Sequence, residues 1–88
     1  LVRPSIALEQ PRGEADNLQR IRGIGPVLEQ RLNEIGVFHF DQLANLTDED
    51  VELVTLGLRT IPGRIDRDDW IGQATELTTA TDDQRSRK

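Results

Sequence analysis

Apolar residues recur at helical spacing through the middle of the chain, and no stretch alternates as a half-buried strand would. Leu28, Leu32 and Ile35 stand at i, i+4 and i+7, one face of a helix. Gly36 follows them and suits a left-handed C-terminal cap. Val37 and Phe38 lead into a shorter helix that starts at His39 or Asp41 and points Phe40, Leu43 and Leu46 inward. Thr47 opens the next one. Thr47-x-x-Asp50 has the form of a capping box with Asp in place of Glu, and Val51, Val54 and Leu58 form its inward side. Gly57 and Pro62-Gly63 interrupt the pattern. Asp66 is placed to cap a last helix with Trp70, Ala74 and Leu77 on one face, and Asp16 to cap a first short one carrying Leu18 and Ile21. The pattern predicts an all-α fold, a compact bundle of about five short helices.

The ends lack this periodicity. Residues 1–14 hold Pro4, Pro11 and Gly13 among isolated apolar positions and read as a flexible arm or linker. Residues 80–88 are polar and read as a disordered tail. The folded domain is then residues 15–79. The whole chain is 35% hydrophobic and 31% charged, so the core is lean. Cysteine is absent, so disulfides and thiolate metal sites are excluded. No apolar run approaches the ~18 residues of a membrane span, and the expected location is the cytoplasm.

Between the first two helices lies Arg22-Gly23-Ile24-Gly25-Pro26. Two glycines around one apolar residue make a tight turn, and Pro26 fits the first position of the following helix. Backbone N–H groups at such a helix start form an anion site, most often for phosphate. In this reading the N–H groups of Gly23, Gly25 and Val27 contact one backbone phosphate, with Ile24 at the tip and Arg20, Arg22 or Arg31 adding charge. The structural alternative is that Ile24 plugs the core while the glycines only permit the turn. Gly25→Val is expected to loosen the domain under either reading. A net charge of −5 argues against binding nucleic acid by bulk charge. The basic residues are nonetheless almost all Arg, and three of them surround the turn.

The run Leu18-x-x-Ile21-x-Gly23-Ile24-Gly25-Pro26, with Leu32 beyond it, resembles a helix-hairpin-helix motif. The longer run through Gly36-Val37-Phe38-His39-Phe40-Asp41-Gln42-Leu43 and Pro62-Gly63-Arg64-Ile65-Asp66-Arg67-Asp68-Asp69-Trp70 resembles a small bacterial domain described as flap-endonuclease-like, or helix-three-turn-helix. The resemblance covers about residues 17–79 and implies a SAM-like, helix-hairpin-helix fold. The middle of the chain also resembles the C-terminal domain of the RNA polymerase α subunit. Such domains stand alone or as C-terminal appendages, with hosts that include an NADH dehydrogenase component of respiratory complex I and a large-subunit ribosomal protein. The family carries Lys where this chain has Val27. Duplex-binding relatives pair two hairpins, and Leu56-Gly57-Leu58 offers a single glycine where the second would fall.

Other candidates have structural explanations. Asp66, Asp68 and Asp69, like Asp48, Glu49 and Asp50, lie at helix starts, where acids cap N–H groups and complement the dipole. Neither set has a metal-loop pattern, and no metal or cofactor is expected. His39, the single histidine, sits between Phe38 and Phe40 with no coupled nucleophile, so it is a cap or a packed residue rather than a catalyst. Trp70 and the phenylalanines read as core rather than as base-stacking platforms. Arg59, Arg64 and Arg67 bracket the Pro62-Gly63 loop and are candidates for contact with a partner. The sequence thus points to a non-catalytic module. Two uses stand open: weak, sequence-independent binding of a DNA or RNA backbone through the hairpin, or protein docking within a larger assembly.

Overall fold

The computed structural model describes residues 4–86, with side chains through Thr79. A 3-10 turn at Leu18–Arg20 is followed by five α-helices: α1 (Pro26–Glu34), α2 (Phe40–Ala44), α3 (Asp48–Leu58), α4 (Arg64–Arg67) and α5 (Trp70–Ser86). There is no strand among the described residues. The all-α expectation holds, and so do most of the inward positions. Leu18, Ile21, Leu32, Val37, Leu43, Val54, Leu58 and Trp70 are fully enclosed, while Leu28, Val51 and Leu77 sit half-buried at the margin. The largest interface joins α2 to α5, and α1 packs on α3.

Helix ends follow local hydrogen bonding, and here the structure departs from the sequence reading several times. Asn17, not Asp16, caps the first turn, accepting the N–H of Gln19 at 3.2 Å. Asp16 instead accepts the N–H of Phe40 at 3.0 Å, serving α2 from a distance. Thr47 and Asp50 do form a reciprocal capping box. Gly57 does not end α3. The helix passes through it and closes at Arg59 in the left-handed region (φ 56°). A Cβ at position 57 would lie 3.1 Å from Ile35 Cγ2, so the glycine permits close approach of α1 and α3. Asp66 lies inside α4, and Asp69 takes the capping role at α5 by accepting the Gly72 N–H at 3.1 Å. A four-residue helix is too short for hydrophobic periodicity to reveal.

The segment expected to be a flexible arm lies along the folded body. The Ser5 N–H and Oγ–H both donate to Asp50 (2.8 to 3.0 Å), and the Leu8 N–H donates to the Gly36 carbonyl (2.8 Å). Arg12 donates its N–H to His39 Nε2 at 2.9 Å. Gln42 Nε2 donates to the carbonyls of Ile6 (2.7 Å) and Gly36 (2.8 Å). The buried polar residues of the described chain are His39, Gln42 and Asp50, and each of them holds this segment. A buried polar side chain needs a partner, and the arm's backbone supplies it. At the other end, the tail expected over 80–88 begins within α5, whose backbone continues to Ser86. Residues 87 and 88 lie outside the described chain.

Candidate nucleic-acid interface

The turn between the 3-10 segment and α1 is fixed from both sides. Ile21 and Ile24 insert into the core, and the Ile24 N–H closes the turn on the Ile21 carbonyl at 3.1 Å. Glu29 reaches back from α1, accepting the Leu18 N–H and the Gln19 side-chain N–H, both at 2.9 Å. From α5, Gln73 pairs with the backbone of Arg22. Its Oε1 accepts the N–H at 2.9 Å and its Nε2 donates to the carbonyl at 3.2 Å. Arg64 Nη2 donates to the Gly23 carbonyl at 3.1 Å. The turn is therefore preset before any ligand arrives.

Its two glycines have different work. Gly23 has φ 103°, and a Cβ there would come within 2.5 Å of Asp68 Oδ2 and 2.9 Å of Trp70 Nε1. Conformation and packing both demand glycine at this position. Gly25 is extended (φ −101°, ψ −172°), a conformation open to any residue, and a Cβ there would meet nothing within 4 Å. The expectation that Gly25→Val loosens the domain is overturned: the strained glycine of the pair is Gly23. Gly25 caps α1 with no side-chain hydrogen bond. The N–H groups of Gly23, Gly25 and Val27 have no acceptor among the described residues.

The arginines separate in the same way. Arg20 and Arg22 are exposed beside the turn. Arg31 Nη1 donates to the Leu58 carbonyl at 2.8 Å and closes the end of α3, so its side chain is committed there. Arg64 braces the Gly23 carbonyl and lies 3.7 Å from Asp68, while Arg67 pairs with the other Asp68 oxygen at 3.3 Å. Of the three arginines proposed for partner contact, Arg64 and Arg67 pair with Asp68, and both Arg67 and Arg59 remain exposed, Arg59 as the cap of α3. Val27, where the resemblance leads one to expect Lys, is exposed at 59%.

Trp70 is fully enclosed and cannot stack on a base, and Phe40 is buried. His39 is buried at the start of α2. Its Nε2 accepts the Arg12 N–H, and its Nδ1 lies 3.4 Å from Asp16 Oδ2. Among the described residues no group of three or more His, Cys, Asp or Glu is placed to hold a metal ion, and no helix is long and apolar enough to cross a membrane. The sequence does not mark Gln73, and it marks Arg64 only as a candidate for partner contact, because their bracing contacts span 51 and 41 positions. No local pattern marks these contacts.

Two short helical segments joined by a Gly-Ile-Gly-Pro turn, closed over one small apolar core, define a helix-hairpin-helix domain. The chain belongs to the RS2/RL21/YNQ2 HHH domain family, whose model matches residues 18–78. It is 48% identical over 73 residues to the small ribosomal subunit protein uS2 of Methylobacterium radiotolerans, covering 83% of this chain and 20% of that protein. The uS2 of Azorhizobium caulinodans is 47% identical over 73 residues, covering 81% of this chain and 20% of that protein. The large ribosomal subunit protein bL21 of Jannaschia sp. is 46% identical over 74 residues, covering 83% and 28%. The chain thus spans less than a third of the length of these relatives. No solved structure matches it.

Proposed function

We propose that this chain is a non-catalytic, cytoplasmic binding module whose hairpin contacts the phosphate backbone of RNA within a ribosome-like assembly. The observation that carries the reading is Gly25. The fold does not need a glycine there, yet the position is bare, at a helix start whose N–H groups lack internal acceptors. A bare backbone at a helix N-terminus admits close approach of a phosphate. Arg20 and Arg22 supply neighbouring charge, while Arg31 is committed to α3. That uS2 and bL21 are ribosomal proteins makes RNA the favoured nucleic acid. Contact with one phosphate through backbone groups positions a module without reading sequence. With a single hairpin and a net charge of −5, binding is weak and depends on attachment to a larger partner.

The test is a chemical-shift titration of the labelled chain with a short RNA duplex at several salt concentrations. The amides of Gly25 and Val27 are expected to move first. Arg22→Ala is expected to lower the slope of log affinity against log salt by about 1. Absence of any shift at low ionic strength, or a slope unchanged by Arg22→Ala, would overturn the reading.

A further inference from the structure

A second surface, away from the hairpin, has the opposite character. On α3, Asp48, Val51, Glu52, Thr55 and Leu56 follow one another at i, i+3, i+4, i+7 and i+8, so they share a stripe distinct from the core-facing Val54 and Leu58. With Pro62 and Asp66 opposite, this stripe lines an open groove between α3 and the start of α4. Its apolar lining is Val51, Leu56 and Pro62. Leu56 is 75% exposed, and Ile61, beside Pro62, is 67% exposed. Fold stability does not explain a Leu this exposed in the lining of a groove in so lean a core. The rim is acidic, formed by Asp48, Glu52 and Asp66, and no basic side chain lines the groove. Asp50, the remaining acid of that helical turn with a buried side chain, faces Ser5 on the other side.

We infer that this groove docks a basic amphipathic segment of a partner protein, with two apolar side chains over Leu56 and Val51 and Lys or Arg side chains against the acidic rim. Three carboxylates and no cation select against a nucleic acid, whose phosphates they repel, and against a second copy of this acidic chain. Apolar contact supplies affinity and the rim supplies orientation and partner choice. The inference is independent of the hairpin reading, because it uses none of the same residues.

The experiment titrates the labelled 88-residue chain with a synthetic peptide of three Lys-Leu-Leu-Lys repeats. Controls of equal length carry Glu in place of Lys, or Lys throughout. The expected result is shift changes confined to Thr55, Leu56 and Gly63, with no response to the Glu peptide and at least about tenfold weaker binding of the all-Lys peptide. Leu56→Ser and Glu52→Arg are each expected to weaken binding about tenfold. Both positions are exposed, so the melting temperature serves as a check that each variant is folded. Four results would overturn the inference: no shift at these residues, equal binding of the all-Lys peptide, binding unaffected by Leu56→Ser, or a dimer in sedimentation velocity that Leu56→Ser disperses. A short RNA duplex shifting Gly25 and Val27 but not Leu56 separates the two surfaces.

Discussion

The N-terminal segment and the hairpin are both irregular in sequence, yet they are held by different physics. Residues 5–12 are fastened by polar side chains of the body. Asp50, Gln42 and His39 each meet a backbone or hydroxyl group of the segment. The hairpin is fastened by apolar insertion of Ile21 and Ile24, and Gln73 and Arg64 then fix its backbone. The polar fastening is specific but vulnerable, since each of the three buried polar side chains loses a hydrogen bond if the segment leaves. The apolar fastening tolerates more, because it draws on the shared core. This difference suits a hairpin that must present a fixed backbone to a ligand.

The largest expected effect is at the hairpin. Gly23→Val forces a side chain into Asp68 and Trp70 at a positive φ, and about 3 kcal/mol of stability should be lost in urea unfolding. A loss below about 0.5 kcal/mol would show that the turn is not held as described. Asp50→Ala comes next. It removes the Ser5 contacts and the carboxylate that accepts the Thr47 N–H, for a loss of about 2 kcal/mol. Hydrogen exchange should quicken at Ser5 and Leu8 while Ile24 stays protected. Equal loss of protection at both would erase the distinction between the two fastenings.

Acid should act on the same latch with a smaller effect. Burial pushes the Asp50 carboxyl up, but hydrogen bonds from Ser5 and Thr47 outweigh it together and hold the pKa below its usual value of 3.8. A lowered folded pKa means the stabilisation is present above the ordinary aspartate range and is lost as pH falls through the folded value. Amide signals of Ser5 and Leu8 should therefore lose protection below about pH 4, and Asp50→Asn should remove this response. A loss that begins near neutral pH would assign it to another group. The smallest effect on stability belongs to Gly25→Ala, within about 0.5 kcal/mol of the parent, because the added methyl meets open space. RNA-induced shifts at Val27 should nonetheless diminish. A large stability loss there would return Gly25 to a purely structural role.

The helices are legible where a periodic apolar face runs for about two turns, as in Leu28, Leu32 and Ile35 or Trp70, Ala74 and Leu77. The Thr47–Asp50 box was legible because its parts lie three residues apart. Misassigned boundaries share one cause. Asp16, Gly57 and Asp66 are residue types that cap or break helices in general, and here each is used by a distant neighbour or continues a helix. The arginines show the same limit. Arg22 and Arg31 look alike along the chain, but one is exposed beside the turn and the other closes α3.

By itself the sequence determined the helical class, the core stripe and the position of the Gly-Ile-Gly-Pro turn, because these depend on spacing within a few residues. Only the tertiary structure decided which hairpin glycine is strained, which arginines remain outside, and that residues 5–12 are latched by His39, Gln42 and Asp50. Those outcomes rest on contacts from Arg12–His39 and Arg31–Leu58, 27 positions apart, to Arg22–Gln73, 51 apart, brought together by burial of the shared apolar core.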